Sequence, residues 1–84
     1  MVLYLIPNGL HINRLGITVS KKIGSAVIRN RVRRRIKESY RLTEQQLKCG
    51  YDLCFVARSR AVEADFKKLQ ASMTFLLKKS GLLK

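Results

Sequence analysis

Between Lys21 and Arg41 the chain holds nine basic residues, six of them arginine, and a single acidic one, Glu38. Half of its 18 lysines and arginines therefore sit in a quarter of its 84 residues. A guanidinium offers parallel N–H donors that match two phosphate oxygens, so an arginine-rich run favours forked recognition of a phosphate backbone over attraction to a point charge. Asn30 sets a neutral donor and acceptor among them. Solvated charged faces usually mix signs, and this one hardly does. The chemistry it suits is the binding of a polyanion, nucleic acid first.

Catalysis by side chains finds less support. The carboxylates, Glu38, Glu44, Asp52, Glu63 and Asp65, are scattered and lack the close Asp and Glu spacing of a two-metal nuclease. Cys49, Cys54 and His11 are the only cysteines and histidine, too few for a four-ligand zinc site. We expect two reduced thiols, Cys54 inside a strand, and neither catalytic residues nor metal ligands in this chain.

The basic run has to be displayed by an element, and its apolar positions say which. Ile28, Val32 and Ile36 recur every fourth residue and Ser25 is suited to cap them, which predicts a helix reaching Tyr40 or beyond. At about 100° per residue, with Val32 at zero, Ile28 and Ile36 lie at about −40° and +40° and define a buried stripe. Asn30, Arg34 and Arg41 then lie at about 160–200°, Arg33 and Lys37 at about 100–140° and Arg31 at about 260°, with Arg29 and Arg35 flanking the stripe. Like charges at i, i+3 and i+4 oppose an isolated helix by a few tenths of a kcal/mol per pair, so an external anion is needed to neutralise them.

Around this helix the pattern is α+β. Val2 to Ile6 is β-rich and turns at Pro7-Asn8-Gly9. Arg14 to Ser20 alternates, with Leu15, Ile17 and Val19 on one face and Gly16, Thr18 and Ser20 on the other. Gly50 precedes Tyr51 to Ala57, a nearly continuous apolar strand that suits burial on both faces. Val62, Phe66, Leu69, Met73 and Leu76 follow at helical spacing, the seam of an amphipathic helix covering a sheet. No repeat or linker divides the chain, so residues 1–84 form one ββαβα domain. At this length its core is thin.

A formal net charge of +13 exceeds what solubility requires and destabilises the compact state by self-repulsion. No apolar run approaches the roughly 18 residues that span a bilayer, and the first residues lack the basic and small-residue features of a signal peptide. We expect a cytoplasmic protein.

Composition leaves RNA and DNA open, since a basic helix also fits a DNA major groove. The string Ile23-Gly-Ser-Ala-Val-Ile-Arg-Asn-Arg-Val-Arg-Arg-Arg-Ile-Lys37 resembles the signature of the bacterial ribonuclease P protein component, whose hallmark is Arg-Asn-Arg, here Arg29-Asn30-Arg31. Gly16 to Lys22 resembles the strand leading into that helix, and the likeness extends across nearly the whole chain. It implies a two-layer α/β sandwich with a left-handed βαβ crossover, against the usual right-handed rule. It also implies a ribonucleoprotein whose catalytic RNA, with Mg²⁺ bound mainly by that RNA, cuts the 5′ leader from precursor tRNA.

Carried over position by position, Lys22, Arg29, Asn30, Arg31, Arg33 and Arg34 would contact the catalytic RNA. Tyr4, Arg29, Asn30, Arg33 and Lys37 would line the cleft receiving the single-stranded leader, where Tyr4 could stack on a base. Family members carry a further helix and strand before the segment that resembles Met1 onward, and that helix forms the cleft's other wall. Without them leader binding is expected to weaken, and an unpaired sheet edge is expected to make the chain self-associate or be marginally stable. The competing reading is a general RNA- or DNA-binding basic module of ribosome-associated type, without a role in tRNA processing. Docking on anionic membrane is weaker, because the helix's narrow apolar stripe is needed for the core.

Overall fold

A computed structural model of the chain describes residues 1–63 and 65–84, with side chains for all of these but Arg60 and Glu63. Two strands, β1 (Val2–Pro7) and β2 (Arg14–Val19), precede the basic helix α1 (Ala26–Thr43). The strand β3 (Tyr51–Ala57), a short helix α2 (Arg60–Glu63) and a longer helix α3 (Phe66–Lys79) complete the order.

The last strand in the sequence takes the centre of the sheet. β3 lies between β1 and β2, antiparallel to the first, with Tyr4 opposite Cys54, and parallel to the second, with Gly16 opposite Cys54. Parallel neighbours need a crossover, and α1 supplies it. The link from β1 to β2 therefore crosses the start of β3, pinned by two asparagines. The Asn8 backbone N–H donates to Gly50 O at 2.9 Å, its side-chain oxygen accepts from Leu10 N at 2.8 Å, and Asn13 Oδ1 accepts from Tyr51 N at 2.9 Å. Gly50 is required there: its φ is +99°, and a Cβ would stand 3.1 Å from Leu10 O.

The core lies between one face of the sheet and the helices. Leu53, Phe55 and Ala57 of β3 are buried with Val19, with Val32, Ile36 and Tyr40 of α1, and with Leu69, Met73 and Leu77 of α3. The Tyr40 and Phe55 rings meet edge to face with centroids 6.3 Å apart. This two-layer α+β arrangement agrees with the sequence reading.

Two expectations are corrected. β3 is not buried on both faces: Leu53, Phe55 and Ala57 alternate with half-buried Asp52, Cys54 and Val56. The helices cover a single face, so residues of opposite parity meet no second layer. The last helical stripe also shifts, to Leu69, Met73 and Leu77, with Leu76 half-buried and Phe66 exposed. Asp65, extended and accepting from Lys68 N at 2.8 Å, caps a separate helix, so Val62 belongs to α2 and Phe66 stands at the exposed first position of α3, whose buried line steps by four from Leu69 to Met73 to Leu77.

Candidate nucleic-acid interface

The basic helix starts where expected. Ser25 has extended backbone angles and its hydroxyl oxygen accepts from Ile28 N at 3.4 Å. Val32 and Ile36, 2% and 0% exposed, fix the orientation of α1, and Ser39, Tyr40 and Thr43 extend the buried side through its last turns. The opposite side carries Asn30, Arg31, Arg33, Arg34 and Lys37, all exposed. These predicted contacts therefore share the outer surface of one rigid element.

Within it the interactions are sparse. Arg33 Nη1 donates to the Asn30 amide oxygen at 3.4 Å, so what Asn30 still offers a ligand is its two N–H donors. Arg41 is engaged elsewhere, on Glu38 at 2.6 Å one turn back, which neutralises it locally and ends the purely cationic stretch at Lys37. Arg29 is half-buried, and its Nε is shielded from solvent without a hydrogen-bond partner in the protein. A donor left unmet at the margin of such a face is suited to an incoming acceptor.

Lys22 lies off the helix, in a 3₁₀ turn (Lys21–Ile23) capped by the Ser20 hydroxyl, which accepts from Lys22 N at 3.1 Å. It lines a shallow cavity of about 270 Å³ with Ser20, Arg58 and Ser59. Arg58 was not among the sequence-derived candidates. It follows β3, and only the parallel register, which sets Val19 beside Ala57, brings the two strand ends together.

Tyr4 is on the other side of the sheet from the helices. It is 58% exposed and stands in one row with Cys54 and Gly16. A second cavity of about 270 Å³ lies there, lined by Tyr4, Ile6, Arg14, Leu15, Gly16, Asp52, Leu53 and Cys54. No residue of α1 lines it, so the structure gathers Arg29, Asn30, Arg33 and Lys37 on one surface and holds Tyr4 apart from them across the sheet. Arg14, also absent from the sequence-derived candidates, grips both Asp52 oxygens at 2.7 and 2.8 Å, and Asn8 Nδ2 donates to the same carboxylate at 2.9 Å. Those hydrogen bonds hold the Asp52 carboxyl below the usual carboxylate range and raise the Arg14 guanidinium. The signal for this pair was the strand register, which sets Arg14 opposite Asp52.

A family model described as Ribonuclease P matches residues 1–81. The ribonuclease P protein component of Alkaliphilus oremlandii is 47% identical over 83 residues, spanning 99% of this chain and 73% of that protein. That of Caldanaerobacter subterraneus subsp. tengcongensis is 54% identical over 82 residues, spanning 98% and 71%. Among solved structures, the Staphylococcus aureus RNase P protein superposes with a TM-score of 0.86 at 31% identity, covering 98% of this chain and 75% of that one. The Thermotoga maritima RNase P protein gives 0.84 at 30% identity, covering 92% and 74%.

Proposed function

The chain belongs to the ribonuclease P protein component family and is the RNA-binding subunit of that ribonucleoprotein enzyme, and from this premise we propose that the outer face of α1 docks on the catalytic RNA while the open face of the sheet meets the 5′ leader of precursor tRNA. The observation that carries this is the face itself: Asn30, Arg31, Arg33, Arg34 and Lys37 exposed on one helix surface, with Arg29 Nε unmet at its margin. Lys22, with Arg58 beside it, extends the cationic surface past the start of the helix. On the sheet face, Tyr4 offers an aromatic ring beside a gap where Gly16 has no side chain, a platform on which a base of any identity can stack.

The hydrolytic chemistry belongs to the RNA and its Mg²⁺. Among the described residues no three His, Cys, Asp or Glu gather. Asp52 is moreover already engaged by Arg14 and Asn8. The protein's part is to neutralise phosphates and hold substrate beside the RNA, work suited to the cytoplasm, where tRNA precursors are made. Among the described residues no helix is long and apolar enough to cross a membrane. The outer edges of β1 and β2 have no strand partner among the described residues. Edge-to-edge pairing is the route by which two copies would associate.

The test adds the chain to ribonuclease P RNA at low Mg²⁺ and measures cleavage of precursor tRNA, with Arg31→Ala plus Arg34→Ala alongside. Stimulation by the parent is expected. In the variant it should fall, and the log–log salt slope of RNA binding should flatten by about one for each phosphate no longer neutralised. Absence of stimulation by the parent, with equal affinity for duplex DNA, would favour a general basic module. Full stimulation by the variant would remove these arginines from the interface.

A further inference from the structure

Helix α3 repeats, on the far side of the chain's sequence, the charge pattern of α1 with a different side chain at its centre. From Phe66 to Lys79 it contains no acidic residue and four lysines, Lys67, Lys68, Lys78 and Lys79. With Met73 at zero and about 100° per residue, Lys67 and Lys78 lie at about 120° and 140°, Ala71 and Phe75 at about 160° and 200°, and Lys68 and Lys79 at about 220° and 240°. All six are exposed, opposite the buried line of Leu69, Met73 and Leu77. Phe75, in the middle, is 63% exposed, and Lys79 Nζ stands 6.0 Å from its ring centroid.

Helix stability does not explain this face. Lys78 and Lys79 suit the negative end of the helix dipole, but Lys67 and Lys68 occupy the first turn, where cations are disfavoured. No acidic residue lies within α3 to balance them, and Asp65 at its N-cap is engaged with the Lys68 backbone N–H. A membrane is a poor fit, because the apolar stripe that would enter it is already buried against the sheet and α1. Lysines around a single exposed ring match what single-stranded nucleic acid requires, namely cations for the backbone and an aromatic face for a base.

We propose that the outer face of α3 is a second RNA-contacting surface, in which Lys67, Lys68, Lys78 and Lys79 neutralise phosphates and Phe75 stacks on an unpaired base. The inference takes from the family reading only that the partner is RNA. Two RNA-facing helices would let the subunit hold separate stretches of one RNA, or RNA and substrate together.

Ribonuclease P RNA is titrated with the full chain, with Lys67→Gln, Lys68→Gln, Lys78→Gln and Lys79→Gln combined, with Phe75→Ala, and with the α1 variant Arg31→Ala plus Arg34→Ala. Glutamine keeps the helix, and circular dichroism checks it. The combined variant should flatten the log–log salt slope by about three, at about 0.7–0.9 per phosphate. Phe75→Ala should weaken binding about five- to tenfold, as expected when a stacking partner is removed. Because the chain has no tryptophan, Phe75→Trp introduces a unique fluorophore, and RNA should quench it. An unchanged slope and an unquenched tryptophan, while the α1 variant binds weakly, would overturn the α3 surface and leave the α1 assignment standing. A blue shift of that tryptophan's emission on phosphatidylglycerol vesicles, with no quenching by RNA, would overturn it in favour of a membrane. If neither set of variants alters RNA binding, the α1 and α3 surfaces fall together.

Discussion

Asp52 shows how much one residue can do at the edge of a site without touching a ligand. Its carboxylate accepts from Arg14 and Asn8 at 2.7–2.9 Å, tying β2 and the link before it to the start of the central strand. Because its folded pKa is lowered, chiefly by the hydrogen bond from Arg14, its stabilising contribution is present above the ordinary carboxylate value and is lost as pH falls through the lowered one. Asp52→Asn should therefore melt below the parent by a constant margin from neutrality down to about pH 4, and the margin should close under stronger acid. Melting curves across that range check the sign, and a margin that widens in acid would contradict it. Arg14, released in the variant, would also add an unpaired cation beside Tyr4.

Helix α1 is where stability and binding pull apart. Ile36 is 0% exposed, and truncating it to alanine should cost about 2–5 kcal/mol, the range for large-to-small changes in a closed core. Arg34, on the opposite side, is exposed among like charges, so Arg34→Ala should leave stability unchanged or raise it by a few tenths of a kcal/mol while weakening RNA binding. Urea denaturation paired with RNA titration separates the two effects. A loss of stability in Arg34→Ala as large as that in Ile36→Ala would mean that the outer face serves the fold. The helix thus carries a surface that opposes its own formation, kept in place by the stripe beneath it and by Ser25.

For the whole molecule, a net charge of +13 on a two-layer fold with extents of 36 × 22 × 17 Å sets repulsion against a small core. The same repulsion holds two copies apart, although β1 and β2 each leave an edge without a strand partner among the described residues. Screening should reverse the balance: sedimentation should find a monomer at low ionic strength and association once salt exceeds about 0.1 M, where the Debye length is about 10 Å. The melting temperature should rise over the same interval. A monodisperse monomer at high salt, melting cooperatively well above room temperature, would count against edge pairing and against marginal stability.

Much of this was legible in the order of residues. The cap at Ser25, the stripe of Ile28, Val32 and Ile36, and the arginine surface opposite them follow from a 3.6-residue period, which is a local property of the chain. Alternation in β2 and the family likeness of Ile23 to Lys37 are local in the same sense. What sequence left undecided is what depends on distant partners. The apolar run of β3 reads as doubly buried until it is seen that every helix covers one face. The seam of Val62, Phe66, Leu69, Met73 and Leu76 reads as one helix until Asp65 is seen to cap a separate one. Lys22 and Arg58 share a cavity, and Arg14 grips Asp52, only because β3 pairs in parallel with β2. Of the basic helix, sequence determined which residues face outward, whereas the tertiary structure decided what stands around them. Periodicity is written within a helix; neighbours across a sheet are set by pairing between strands far apart in the chain.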